Sequence, residues 1–272
     1  MDQTNRKGIA IAAGVLALAA AGAGTWWYLS QPAPPPARPA APPPVAAVKP
    51  APPPEPAIRH PVEAQAAAEL PALADSDKYI EQALLELLDR KSVLGMLQLD
   101  GFARRVVATV DNLARHHAAP RLWPVNPTPG RFAVKPDGTA ATDQNLRYAP
   151  FVLMVESADL DRTHQLYLRL YPLLQKAYEE LGYPGQYFND RLVAVIDTLL
   201  ATPVPAAPLK FRLTEVKGEQ KPVRPWVRYE FEDPALEAML PGQKILLRMG
   251  AVNQRRLQAR LAAFRKKVAK GG

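Results

Sequence analysis

Between residues 32 and 61 the chain is too rich in proline for helix or sheet, as its main part shows: "PAPPPARPAAPPPVAAVKPAPPPEP". Each proline lacks an amide N–H and pushes its predecessor toward extended geometry. A polyproline II path at about 3.1 Å per residue predicts a disordered but stiff spacer of about 90 Å. The 272 residues therefore divide into an apolar N-terminal segment, a linker over 31–69 and a C-terminal part. That last part, 70–272, holds roughly 200 residues, enough for one domain with a real core.

Residues 8–29 carry no charge and are long enough to cross a bilayer as a helix. Arg6 and Lys7 precede the run and the next basic residue is Arg38, a bias that places the N-terminus in the cytoplasm. Trp26, Trp27 and Tyr28 close it, where amphipathic rings suit the headgroup depth of a retained span. Ala21 and Ala23 also make the A-x-A pattern that signal peptidase reads, so cleavage after Ala23 is the competing outcome. Ala10, Gly14, Ala17, Ala21 and Gly24 offer a small-residue seam for a homodimer, although a run this rich in alanine gives such a seam in almost any register. The expectation is a single-pass inner-membrane protein. Residues 1–30 form its cytoplasmic tail and transmembrane helix, and its C-terminal domain is periplasmic.

The formal charge of +8 sits at one end. From residue 238 onward there is no Asp or Glu, against Lys244, Arg248, Arg255, Arg256, Arg260, Arg265, Lys266, Lys267 and Lys270. The rest of the chain is close to balance, so no nucleic-acid partner is expected. The absence of cysteine excludes disulfides, thiolate metal sites and a Cys nucleophile.

Hydrophobic periodicity predicts a mainly α domain with one small β-hairpin. Ile80, Ala83, Leu84, Leu87 and Leu88 share a helix face behind Ser76 as N-cap. Phe102, Val106, Val110 and Leu113 do so behind Asp100, and Leu192, Val193, Ile196, Leu199 and Leu200 behind Asn189. The longest stripe runs from Leu166 to Leu181, and Pro172 either kinks that helix or starts a second one. Residues 120–138 form a long loop whose Trp123, Val125, Phe132 and Val134 predict that it packs. "LKFRLTEV" and "WVRYEFED" alternate in period two, with Phe211 and Leu213 on one face, Val227, Tyr229 and Phe231 on the other strand, and Gly218 between. Leu257, Leu261, Phe264 and Val268 mark a last helix with a basic opposite face. No internal repeat is evident.

The search for chemistry yields little. Ser30, Ser76, Ser92 and Ser157 lie in neither G-x-S-x-G nor S-x-x-K. Asp161 and His164 are an i,i+3 pair without further ligands, and Asp159 beside them reads as a helix cap. No phosphate-binding glycine loop is present. The expectation is no catalytic residue, no metal and no cofactor. Tyr167, Tyr171 and Tyr178 read as core, whereas Tyr183, Tyr187 and Phe188 sit in a Gly/Pro loop, as a plug for a helix pair or as a stacking contact for sugar or peptide. Arg255, Arg256 and Arg260, with Lys266 and Lys267, form a basic face suited to an acidic polymer or a protein partner.

"LPALADSDKYIEQAL", "LGYPGQYFNDRLVAVIDTLLATP" and "LPGQKILLRMG" together resemble an uncharacterised bacterial membrane-anchored envelope family, domain of unknown function 3014. The resemblance implies an envelope location and brings no catalytic residue, cofactor or substrate. The first expectation is accordingly a non-enzymatic binding or scaffold domain presented in the periplasm to an envelope protein or cell-wall polymer. The alternatives are a glycan-cleaving enzyme using a carboxylate pair from Glu156, Glu179, Glu180, Asp190 and Glu230, or a transducer similar to the TonB type.

Overall fold

Apolar residues at helical spacing set out the fold one helix at a time. The computed structural model describes residues 57–63, 70–214 and 224–269, which fall in one compact unit, Pro54–Gly272. Helices α1 (Asp77–Leu87) and α2 (Arg90–Met96) lead to α3 (Phe102–Leu113). Beyond a long loop come α4 (Ala149–Ser157), α5 (Leu160–Glu180) and α6 (Phe188–Leu200). Strands β1 (Phe211–Leu213) and β2 (Tyr229–Phe231) then pair antiparallel, Phe211 opposite Phe231. Three helices finish the domain: α7 (Pro234–Glu237), α8 (Pro241–Arg248) and α9 (Ala251–Val268).

Helices α3, α5, α6 and α9 pack on one another, with α1 against α5, α4 against α9 and α8 against α3 and α6. Ile80, Val107, Leu170, Leu174, Phe188, Val193 and Ile196 lie in the central cluster. Burying each such side chain contributes about 1.5–3 kcal/mol, so this cluster outweighs any single polar contact in the domain. Val152, Val195, Leu199, Leu246 and Leu257 form a second cluster beneath α4 and α8. Phe211, Phe231 and Leu247 seat the hairpin. Phe132 packs edge-on against Phe211 at 4.9 Å between ring centroids, so the loop over 120–138 is held by its own apolar residues, as expected.

The caps differ from the expected ones. The Ser76 hydroxyl donates to the Leu73 carbonyl instead of accepting from helix α1. Asp100 does not cap α3. The Asp77 carboxylate, from α1, accepts from the amides of Gly101 (2.8 Å) and Phe102 (3.3 Å). Gly101 can present its amide this way because its φ of 62° suits glycine. Asp159 does cap α5, accepting from the Arg162 amide at 2.8 Å. Pro172 neither breaks nor restarts α5; it is exposed, so the bond it cannot make is lost on the solvent side. In the hairpin Phe211 is buried while Leu213, at the open end, is 44% exposed. Val227 lies in a short 3-10 turn, Pro225–Val227, and not in β2; Gly218 lies outside the described residues.

The larger correction concerns the membrane. Among the described residues no helix is long and apolar enough to cross a bilayer. The longest, α5, carries Asp161, Arg162, Arg169, Lys176, Glu179 and Glu180, and α9 carries Arg and Lys along its whole length. Charges of that number are too costly in hydrocarbon. The expected span at 8–29, its flanking Arg6, Lys7, Trp26, Trp27 and Tyr28, and the spacer up to residue 56 lie outside the described residues. The fold therefore stands as mainly α with a small hairpin. The expected transmembrane class, inner-membrane and periplasmic placement, membrane and envelope partners, homodimer seam and transducer role find no support in it.

Gly242 shows how tightly α8 meets its neighbours. A β-carbon there would lie 2.7 Å from Leu199 Cδ2 and 2.9 Å from the Leu113 carbonyl oxygen. Gly242→Ala is expected to cost about 1–3 kcal/mol through overpacking, despite the better helix propensity of alanine. Urea unfolding of the two proteins measures the difference.

Candidate functional site: the junction that grips residues 57–63

The turn from α5 into α6 is built by side chains that face backwards onto backbone. Gln175 of α5 donates from Nε2 to the Gln186 carbonyl (2.8 Å) and accepts at Oε1 from the Phe188 amide (2.8 Å). It thereby fixes the end of the loop and satisfies the first amide of α6, which has no partner within the helix. The loop itself turns through Gly182 and Gly185, at φ 114° and 74°.

Asn189 sits one residue into α6 and is fully buried. Its Oδ1 accepts from the Tyr167 hydroxyl at 2.7 Å. Its Nδ2 donates to two carbonyls, His60 and Val268, each at 2.8 Å. Its backbone amide donates to the Tyr171 hydroxyl at 3.3 Å. Burial, then the neighbouring Tyr187, pushes the Tyr167 and Tyr171 phenols well above their ordinary pKa, so both stay neutral. Sequence reasoning read Asn189 as an N-cap; it is instead the knot of α5, α6, the end of α9 and residue 60.

On either side of Asn189 the junction holds the chain's own segment 57–63. The amides of Arg59 and His60 donate to the two oxygens of the Asp190 carboxylate, at 3.0 and 2.8 Å. The Val62 amide donates to the Tyr187 hydroxyl at 2.7 Å. With the Asn189 bond to the His60 carbonyl, Tyr187, Asn189 and Asp190 make four bonds to the main chain of this strap. Asp190 lies in the first turn of α6, where the helix dipole favours a carboxylate. Tyr187 leans on Tyr171, ring centroids 5.5 Å apart.

The expected aromatic loop residues thus part company. Tyr187 is in the clamp. Phe188 is core, 1% exposed. Tyr183 stacks on Tyr178 at 4.5 Å and donates to Asp111 Oδ2 at 3.2 Å. Asp111, with a side chain only 5% exposed, also takes Arg115 Nε at 2.6 Å and Arg191 Nε at 2.9 Å. That cluster locks α3 to the α5–α6 turn. Tyr167, Tyr171 and Tyr178 are buried as expected, but the hydroxyls of the first two serve the junction.

The basic face is largely engaged within the domain. Arg256 pairs with Glu156 of α4 (Nε to Oε1 2.8 Å), Arg260 donates to the Ala158 carbonyl, Arg265 pairs with Asp197 of α6, and Lys267 with Asp161 of α5. Arg255 and Lys266 stay exposed. The carboxylates considered for glycan cleavage have separate partners: Glu156 has Arg256, Glu179 has Gln175, Glu180 has Arg104, Asp190 has the strap and Glu230 has Arg212. Each of these groups sits on its own contact.

A family model described as "Protein of unknown function (DUF3014)" matches residues 102–265, more than half of the chain. The clamp residues Tyr187, Asn189 and Asp190 lie inside that match, and the gripped segment 57–63 lies outside it. No curated protein and no solved structure matches the chain.

Asn189→Ala would remove the partner of the Tyr167 hydroxyl and of the Val268 carbonyl, and one bond to the His60 carbonyl. At about 1–3 kcal/mol for each buried group left unpaired, the variant is expected to lose on the order of 3 kcal/mol in urea unfolding. A second expectation concerns acid. The Arg256 guanidinium holds the Glu156 carboxyl below its ordinary value of 4.5, and the Lys267 ammonium holds Asp161 below 3.8. Depressed carboxylates stabilise the fold fully above their unfolded values and lose that contribution as pH falls through the lower folded ones. Between about pH 6 and about pH 3 the wild type should lose more stability than Glu156→Gln, and equal losses would count against the pairing.

Proposed function

We propose, for a chain that belongs to the family described as protein of unknown function (DUF3014), that this domain is a binding module that captures a bent peptide segment by its main chain at the α5–α6 junction. Residues 57–63 are the occupant in this structure. The observation that supports the reading is the set of four main-chain bonds made by Tyr187, Asn189 and Asp190 to residues 59–62. Recognition of this kind takes affinity from backbone groups and specificity from the few side chains that touch the site.

Magnitudes favour an exchangeable occupant. Bonds to a carboxylate contribute about 1.5–3 kcal/mol each and neutral ones about 1 kcal/mol. Ordering the strap backbone costs about 1–2 kcal/mol per residue. The two sums are close, so the strap stays seated mainly because its tether keeps it at roughly millimolar local concentration. A free peptide above that concentration competes on equal terms.

Hydrogen exchange on the full chain tests this. The amides of Arg59, His60 and Val62 are expected to be protected and to lose protection in Asp190→Ala while core amides stay protected. The synthetic peptide AIRHPVE, the sequence of residues 57–63, added well above the roughly millimolar tether concentration, should raise their exchange several-fold. Strap amides that exchange at the free-peptide rate without competitor, or that ignore saturating peptide, would overturn the reading.

A further inference from the structure

The clamp uses the N–H groups of positions 59, 60 and 62 and skips position 61. The skipped position is Pro61, the one residue of the four with no N–H to give. Moving a proline to any of the other three positions would leave an oxygen of Asp190 or the Tyr187 hydroxyl without its donor. In a proline-dense chain this is a demanding filter, because it needs two consecutive amides, a gap, then a third. Two further features of the site narrow it. The Asp190 carboxylate accepts the amides of the first two positions, so its negative charge favours a cation near them and disfavours an acid. Val62 rests partly buried against the central cluster, which suits a small apolar residue at the fourth position.

Resting on the capture reading above, we propose that the clamp reads the register of proline and takes peptides of the form X-(Arg/Lys/His)-Pro-(Ala/Val) that can bend at the first two positions, with residues 48–51 and 37–40 of this chain as alternative occupants to 59–62. Those segments read VKPA and ARPA, against RHPV for the seated one. They begin at Val48, Ala37 and Arg59, evenly spaced along the proline-rich stretch. The sequence by itself shows no repeat there because alanine and proline fill every position around them. The pattern emerges only once the hydrogen bonds say which amides matter. Outside the stretch, residues 220–223 (QKPV) also meet the rule.

The test uses the wild-type full chain and the exchange of the Arg59, His60 and Val62 amides as readout. AIRHPVE is compared with the chain's own AAVKPAP (residues 46–52) and PPARPAA (residues 35–41), and with AIRPHVE, in which proline has moved onto a bonded amide. AAVKPAP and PPARPAA are expected to release the strap within about tenfold of the concentration needed for AIRHPVE, and AIRPHVE to need more than about tenfold as much. AIREPVE, with an acid at the position whose amide Asp190 holds, should also compete more weakly. If AIRHPVE itself releases nothing, the capture reading falls. If AIRHPVE works but the two upstream peptides fail, or AIRPHVE works equally well, capture stands and the register rule is overturned.

Discussion

One carboxamide holds this domain together at the point where its parts meet. Asn189 has one strong acceptor oxygen and two donor hydrogens, and all are used, on Tyr167, His60 and Val268. A buried amide with its groups satisfied stabilises; the same amide half satisfied would be a liability of several kcal/mol. That demand for completeness sets much else. Tyr167 must point its hydroxyl inward from α5, and the last turn of α9 must end with its carbonyl over α6. The chain must bend at residues 59 and 60 so that both amides reach Asp190 and the His60 carbonyl reaches Asn189. The apolar cores supply most of the free energy, but they do not choose these geometries.

The charges follow a similar economy. A basic C-terminal end suggests a surface that reaches outward, yet α9 uses Arg256, Arg265 and Lys267 to hold acids of α4, α6 and α5. The acids balancing the C-terminal cations lie earlier in the sequence and opposite them in space. Charge segregation along the chain has become charge pairing across the fold. Individually these exposed pairs contribute little; together they fix the rotation of α9, and so the place where the Val268 carbonyl ends.

Helices with regular apolar spacing were legible in the sequence: α1, α3, α5, α6 and α9 stand where Ile80, Val106, Leu170, Ile196 and Leu257 predicted them. The hairpin was legible too, from the period-two alternation around Phe211 and Phe231. Caps were not, because Asp77 reaches α3 from another helix and no local pattern encodes that. Asn189 looks like a cap in one dimension, since Asn before an apolar run is the usual signal. The strap was missed because proline density dominates its neighbourhood. A sharper signal was present in "AIRHPV", where consecutive residues regain their N–H groups after a stretch that lacks them.

The Asn189 amide has a mechanical consequence. One –NH2 group holds the carbonyl of residue 60 and that of residue 268, so the two ends of the domain are stapled to the same nitrogen. Tension applied between those ends would load two hydrogen bonds in series across a single side chain before it reached any helix packing. The weakest link under traction and the binding junction would then coincide, and stretching the chain would empty the clamp before unfolding the domain.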